Sequence, residues 1–149
     1  MAKQKLIEML NSALELEHAA YAQYLSYAEL VDGLCAEPVI ARLKEISGDE
    51  KTHQDKFRTL IGILGGTPSM KIAPTKPAKN VKQILTNSLA DEKHAVDVYK
   101  GILCYVHDEK GNKGYYAYIL DHEIRHVIMD EQEHISELEL LMCKQGSSY

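Results

Sequence analysis

The sequence has little of what most fold and function classes require. It contains no tryptophan, one phenylalanine, four prolines and nine glycines in 149 residues. The glycines and prolines cluster in three places, which favours long helices over many short strands. Its three cysteines form no CxxC pair, so they fit neither a disulfide framework nor a CxxC-based iron site, and they suit a reducing cytosol.

Excess basic charge and long apolar runs are also missing. The net charge of −5 argues against a nucleic-acid partner, because phosphate binding needs a basic face, and it leaves small cations as partners. No stretch reaches the roughly 18 apolar residues of a membrane span, and the first residues contain no apolar run of signal-peptide length. We therefore expect a cytoplasmic protein without a membrane partner, folded as one domain over residues 1–149.

Hydrophobic periodicity predicts an all-α fold. Between the glycine and proline clusters, apolar residues recur at alternating steps of three and four, giving one unbroken stripe in each of four segments. Four such stripes indicate a four-helix bundle with a shared core. The predicted helices span about 3–31, 38–64, 80–107 and 114–145.

The lengths of the connections predict the topology. Residues 33–37 and 108–113 are short enough for tight antiparallel turns, whereas residues 65–79 can extend about 50 Å, as long as the bundle itself. We expect two antiparallel helical hairpins joined by this long crossover. Pro38 suits a first helical turn, Gly65 a helix end, and Asn80 with Gln83 a capping box.

Apart from tyrosines, six ionisable residues lie on the four stripes, near the middle of their helices. Antiparallel packing would bring them to one level of the bundle. Buried carboxylates each cost several kcal/mol unless protons or cations neutralise them, and two divalent metals carry the matching charge. Oxygen and imidazole donors without thiolate suit iron first, manganese second, and also zinc. The candidate ligands are Glu17, Glu50, His53, Glu92, Glu131 and His134.

The two halves of the chain repeat this pattern. Each half has a single Glu followed seven residues later by a Tyr, and then an Asp-Glu-x-x-His motif, which places Glu and His side by side on one helix face. We read Tyr99 as a core aromatic and leave Tyr24 open between packing and chemistry. The repeated residues are Glu17 with Tyr24, Glu92 with Tyr99, Asp49-Glu50-Lys51-Thr52-His53 and Asp130-Glu131-Gln132-Glu133-His134.

Two further Glu-x-x-His pairs serve as internal controls because they lie off the stripes. They are Glu15 with His18 and Glu123 with His126. Spacing alone is weak support for a metal site, and we predict that both pairs are solvated residues of a helix face.

The ensemble resembles the ferritin-like di-iron carboxylate proteins, which use two single Glu residues and two Glu-x-x-His pairs. The closest resemblance is to bacterioferritin, carried by residues 11–25, 49–53 and 130–134. The resemblance implies a ferroxidase-type centre with bridging ligands Glu50 and Glu131, terminal ligands Glu17 and Glu92, and one histidine on each metal. It also implies that Tyr24 stands close by, and that Asp49 bonds His134 and Asp130 bonds His53.

The sequence differs from the related families in three ways, which limits what the resemblance implies. The haem-binding Met of bacterioferritin is replaced by Lys51, so we expect no haem. The sequence stops at Tyr149 without the short fifth helix of ferritin cages, which leaves a dimer or a larger homo-oligomer open. Rubrerythrins carry another carboxylate where this chain has Ala95.

We interpret the function as binding Fe(II) and oxidising it with dioxygen or peroxide, in ferroxidase fashion, for detoxification or storage. One alternative is a rubrerythrin-like peroxidase fed by an external electron donor. The other is a non-catalytic helical module with a structural metal, for which stability but not redox turnover depends on the metal.

Overall fold

Four long helices make up the chain. The computed structural model describes residues 2–108 and 116–144, and the predicted all-α bundle is confirmed. Most of the predicted turn at 108–113 lies outside the described residues. The helices are α1 (Ala2–Ala28), α2 (Ala36–Ile63), α3 (Val81–Asp108) and α4 (Ala117–Lys144).

Helix α1 ends earlier than the sequence predicts. We expected this helix to reach residue 31, but it ends at Ala28. Tyr27 and Val31 are both buried, so the apolar stripe continues through the turn after the helix has ended. Helix α2 begins at Ala36, which places Pro38 in its first turn as predicted. The predicted limits of α4 at 114 and 145 lie outside the described residues.

Local signals end α2 and begin α3. Gly65 adopts a φ of 81°, its N–H donates to Gly62 O at 3.0 Å, and the N–H of Gly66 donates to Ile61 O at 2.9 Å. This pair of bonds is a Schellman motif, which confirms the predicted helix end. At α3, the N–H of Gln83 donates to Asn80 Oδ1 at 2.8 Å, and Gln83 Oε1 accepts the N–H of Lys79 at 2.7 Å, which is a variant of the capping box.

The core is divided into two clusters along the bundle. Helix α1 packs mainly on α2 and α3 mainly on α4, so the two hairpins face each other. One cluster joins the start of α1 to the end of α2, and the other joins the end of α1 to the start of α2. The polar side chains of the candidate site lie between them. Representative members are Leu10, Phe57, Ile102 and Ile124 in the first cluster, and Tyr27, Leu43, Leu85 and Leu138 in the second.

The crossover, residues 65–80, is fixed along α1 and is called the strap below. Polar groups of α1 bind it at successive turns of the helix, so the strap follows the helix for most of its length. Asn11, His18 and Tyr27 donate to the backbone oxygens of Thr67, Lys71 and Lys76, respectively. The bonds donated by the strap are Ser69 N to Asn11, Ser69 Oγ to Glu15, and Lys76 N to Gln23.

These contacts correct one prediction. Glu15 and His18 were expected to be solvated, but both are half-buried beside the strap. Glu15 accepts a bond from Ser69 Oγ at 2.6 Å, and His18 Nδ1 donates to Lys71 O at 2.7 Å. A residue that points away from the bundle core is therefore still covered when a crossover lies over that face.

No helix in the described part of the chain is both long enough and apolar enough to cross a bilayer.

Candidate metal centre

The six candidate ligands meet at one level of the bundle. Each helix contributes from its middle third, and the side chains point inward because they occupy the same stripe as the core residues around them. All six are at most 2% exposed. They are Glu17 from α1, Glu50 and His53 from α2, Glu92 from α3, and Glu131 and His134 from α4.

The six residues form two overlapping sets of potential ligands. One set contains Glu17 and His53, the other contains Glu92 and His134, and both include Glu50 and Glu131. Within each set, one donor atom from each residue lies within 4.8 Å of the others. The arrangement has the composition of a dinuclear site, in which each metal position has its own carboxylate and histidine and two carboxylates lie between the positions. Glu17 and Glu92 are the private glutamates of the two positions, and Glu50 and Glu131 are the shared ones.

The two histidines direct the same nitrogen at the shared carboxylates. His53 Nδ1 lies 3.1 Å from Glu131 Oε1 and 3.5 Å from Glu50 Oε1. His134 Nδ1 lies 3.3 Å from each of the same two oxygens. Glu50 Oε1 and Glu131 Oε1 therefore stand between the two imidazoles, whose ring centroids are 6.2 Å apart.

Unpaired polar atoms provide a test of whether metals fit. Buried polar groups are nearly always hydrogen-bonded, and an orphaned one calls for an explanation. Within residues 2–108 and 116–144, the cluster contains four buried atoms without a hydrogen-bond partner, and a cation is the partner that such a convergent set of donors lacks. The atoms are Glu50 Oε1, Glu92 Oε1, Glu131 Oε1 and His134 Nδ1.

Each histidine is held from the outside by an aspartate on another helix. His53 Nε2 donates to Asp130 Oδ2 and His134 Nε2 donates to Asp49 Oδ2, both at 2.8 Å. Both bonds that the resemblance implies are present. A carboxylate only accepts in such a bond, so it fixes a proton on Nε2 and makes Nδ1 the nitrogen whose lone pair faces inward once the imidazole is neutral.

Each private glutamate is held by a tyrosine from the opposite hairpin. Tyr24 of α1 donates to Glu92 Oε2 at 2.7 Å, and Tyr99 of α3 donates to Glu17 Oε2. We had treated Tyr99 as a core aromatic, and its contact with a candidate ligand was missed. The signal was present, since both tyrosines follow a single Glu by seven residues.

Burial and mutual repulsion perturb the carboxylates. Desolvation, followed by repulsion from Glu131, raises the pKa of Glu50 well above its usual range. Desolvation, followed by repulsion from Glu92, does the same to the pKa of Glu131. For Glu92 desolvation acts to raise the pKa, but the nearby imidazole of His134, at 3.3 Å, outweighs it and the pKa is lowered. The shared carboxylates therefore favour neutralisation most strongly.

The histidines and tyrosines respond to the same negative field. Desolvation acts to lower the pKa of His53, but contacts with Glu17 outweigh it and raise the pKa to about 9. The pKa of His134 is also raised, because the nearby carboxylates of Glu131, Glu50 and Glu92 outweigh desolvation. Desolvation and a neighbouring glutamate raise the pKa of Tyr24 and of Tyr99, so both phenols remain donors.

A cavity of about 60 Å³ reaches the centre between α1 and α3. Its wall includes both private glutamates, both tyrosines and the shared Glu50 and Glu131. Neither of the candidate ligands His53 and His134 lines it. Pro74 of the strap borders it, together with Asp91 and His94 of α3. The arrangement can therefore hold two cations on its histidine side while leaving space for a small molecule on its tyrosine side.

The helical architecture and the buried carboxylate and histidine cluster define a class of protein. The chain belongs to the ferritin-like domain family, whose pattern matches residues 7–144.

Individual relatives agree with this assignment. The chain is 30% identical to a bacterioferritin of Brucella melitensis over 138 residues, covering 91% of this chain and 81% of that protein. A ferritin-like di-iron carboxylate protein of Bacillus anthracis superposes with a TM-score of 0.87 at 25% identity, covering 95% and 97% of the two chains. The bacterioferritin of Rhodobacter capsulatus, in a structure with a metal-free dinuclear site and a haem iron, superposes with a TM-score of 0.83 at 28% identity, covering 96% of this chain and 88% of that one.

Proposed function

We propose that the protein binds two Fe(II) ions at this centre and oxidises them with dioxygen or peroxide, as a ferroxidase. The observation that carries the proposal is the pair of overlapping ligand sets that share Glu50 and Glu131. Two histidines direct Nδ1 at the same two carboxylate oxygens, which is the arrangement needed to place two metals side by side.

Charge balance supports two divalent ions. Four ionised glutamates and two neutral imidazoles carry four negative charges, which two divalent cations match. The donors are oxygen and nitrogen, so iron and manganese suit the centre well, and zinc is also accommodated. The pKa shifts of Glu50 and Glu131 have the direction expected of carboxylates whose ionised form needs a cation.

The surrounding side chains orient the ligands and exclude water. Asp130 and Asp49 hold the imidazoles with Nδ1 inward, and Tyr24 and Tyr99 hold the private carboxylates. The two apolar clusters close the centre above and below. The cavity between α1 and α3 then gives an oxidant access from the tyrosine side, opposite the histidines.

The bound irons supply the redox chemistry. Two Fe(II) ions give two electrons to one hydrogen peroxide, which takes up two protons and leaves as two waters. Alternatively, they give two electrons to one dioxygen, which leaves as hydrogen peroxide after taking up two protons. A buried centre that holds two irons together suits such a two-electron reduction.

Haem binding and assembly stay predictions. At the position of bacterioferritin's haem-binding Met, Lys51 has an exposed side chain, and we propose that no haem binds there. We also propose a dimer or a larger homo-oligomer, by analogy with the family.

The test loads two Fe(II) per chain anaerobically, adds stoichiometric peroxide or air, and follows the near-ultraviolet absorption of Fe(III). We expect a rapid increase for the wild type and a slow, peroxide-independent one for Glu50→Gln/Glu131→Gln. The matched control is Glu123→Gln, because Glu123 begins a Glu-x-x-His pair with the same spacing on α4 but forms an ion pair with Lys56 and is not a candidate ligand. The control should behave as the wild type.

Other outcomes distinguish the alternatives. Repeated turnover of peroxide with a reductant, while the iron stays bound, would replace ferroxidase activity with peroxidase activity. A wild type that binds metal and gains stability, but gives no oxidation with either oxidant, would leave the structural-metal function. Equal oxidation by the wild type and Glu50→Gln/Glu131→Gln would remove the centre from the reaction altogether.

A further inference from the structure

The cavity described above exists because small residues face each other across α1 and α3. Ala20 follows Glu17 by three residues and Ala95 follows Glu92 by three, so both lie one helical step from a private ligand on the same stripe. Both alanines line the cavity, together with Ala19. A larger side chain at either stripe position would occupy the space that now connects the centre to the edge of the helix pair.

An ion pair lies at the outer end of this space. Lys76 Nζ of the strap is 2.6 Å from Asp91 Oδ1, and the two side chains are 49% and 35% exposed. Asp91 directly precedes the candidate ligand Glu92 on α3 and lines the cavity. Asp91 therefore borders both the cavity and solvent, one residue away from a candidate ligand.

Gln23 of α1 fixes this ion pair in place. Its Nε2 donates to Asp91 Oδ2 at 2.7 Å, and its Oε1 accepts the N–H of Lys76 at 2.6 Å. The backbone oxygen of Lys76 accepts a further bond from the Tyr27 hydroxyl at 2.6 Å. The strap, α1 and α3 thus converge on the partly exposed carboxylate of Asp91. Among the contacts that the described residues make with Asp91, the ammonium of Lys76 is the only cation.

We propose that Fe(II) reaches the centre through the cavity between α1 and α3, and that the Lys76–Asp91 ion pair is the gate of this passage. Asp91 is the first carboxylate that an arriving cation meets, and Lys76 competes for the same oxygens. A half-exposed ion pair is weak and exchanges readily, so the gate slows cations without sealing the passage. This inference rests on the proposed function, because it concerns access to the same centre.

The test measures the rate at which the metal-free full-length protein binds Co(II), followed by its visible absorption in a stopped-flow instrument. Lys76→Gln should bind about fivefold faster, and Asp91→Asn about fivefold slower, because each alters the local field at the passage. Lys71→Gln is the matched control, since it removes the same charge from an exposed position of the same strap. Its rate should stay within about 1.5-fold of the wild type.

A readout at equilibrium separates the gate from the centre. None of these three residues is a candidate ligand, so the amount of Co(II) bound and its affinity should stay within about twofold of the wild type. Ala20→Leu should slow binding about tenfold, because it fills the passage without changing any charge. If it fails to fold, the two charge variants still decide the question.

The proposal of a gate is contradicted if Lys76→Gln binds Co(II) at the same rate as Lys71→Gln, or if Asp91→Asn binds it as fast as the wild type. A folded Ala20→Leu variant with the wild-type rate overturns the passage itself. In these cases, normal binding of two Co(II) per chain would leave the proposed centre standing. If the wild type binds no more Co(II) than the Glu50→Gln/Glu131→Gln variant does, both proposals fail together.

Discussion

The candidate centre has two faces that differ in chemistry. On the histidine face, made by α2 and α4, Asp130 and Asp49 bind the imidazoles, and their own side chains are 32% and 52% exposed. On the tyrosine face, made by α1 and α3, neutral phenols bind the private glutamates, and a cavity and the strap lie outside them. We infer that the histidine face holds the metals, whereas the cavity on the tyrosine face admits small molecules or ions.

The largest effect that tests this comparison comes from the histidine face. Asp49→Ala/Asp130→Ala removes the carboxylates that orient both imidazoles, and we expect the affinity for Zn(II) to fall about 10- to 100-fold. Competition with a chromophoric chelator measures the loss. Asp55→Ala is the control, because this exposed aspartate lies on α2 and pairs only with Arg58 among its described contacts. Wild-type affinity in the double variant would show that the two aspartates do not orient the ligands.

A smaller effect on metal binding is expected from the tyrosine face. Tyr24→Phe and Tyr99→Phe each leave a buried carboxylate without its phenol donor, which should destabilise the metal-free protein by about 1 to 2 kcal/mol in urea unfolding. Zn(II) affinity should change by less than about threefold, because neither phenol fixes an imidazole. Tyr118→Phe is the control, since Tyr118 is highly exposed. A loss of affinity as large as that of the aspartate variant would abolish the distinction between the faces.

The smallest effect concerns protons. Desolvation lowers the pKa of His53, but contacts with Glu17 and Asp130 outweigh it and raise the pKa to about 9, so the metal-free folded protein keeps this imidazole protonated below that pH. A metal needs the Nδ1 lone pair, so binding releases this proton, and affinity should rise with pH up to at least pH 9.

Calorimetry of Zn(II) binding at pH 7, in two buffers with different heats of ionisation, counts the released protons. Asp130→Asn removes one contact that raises the pKa of His53, so it should release a fraction of a proton less than the wild type. Asp55→Asn again serves as the control. A binding constant that does not vary between pH 6 and 9 would contradict the assigned protonation.

The sequence was sufficient to choose the residues that meet at the centre, because strict periodicity fixes which side chains share a face. Each of Glu17, Glu50, Glu92 and Glu131 interrupts an apolar stripe, and burial of the stripe carries the carboxylate inward with it. The cap at Asn80 was equally accessible, because a capping box is a local interaction.

Periodicity alone did not predict the contacts that depend on the register between hairpins, and the two aspartate–histidine bonds were expected only from the family resemblance. The bond from Tyr99 to Glu17 joins residues on α1 and α3, whose relative height is set by packing and by the strap. The path of the strap also escaped prediction, so Glu15 and His18 were wrongly expected to be solvated. The ion pair between Lys76 and Asp91 has the same origin, since nothing in the spacing of these residues brings them together.

The division of the core into two apolar clusters bears on how the bundle unfolds. Each helix contributes to both clusters and passes through the polar layer between them. Neither cluster can lose its packing without breaking all four helices near their midpoints, where the hydrogen bonds of the layer hold them. Despite its divided core, the bundle should therefore melt cooperatively, as one unit.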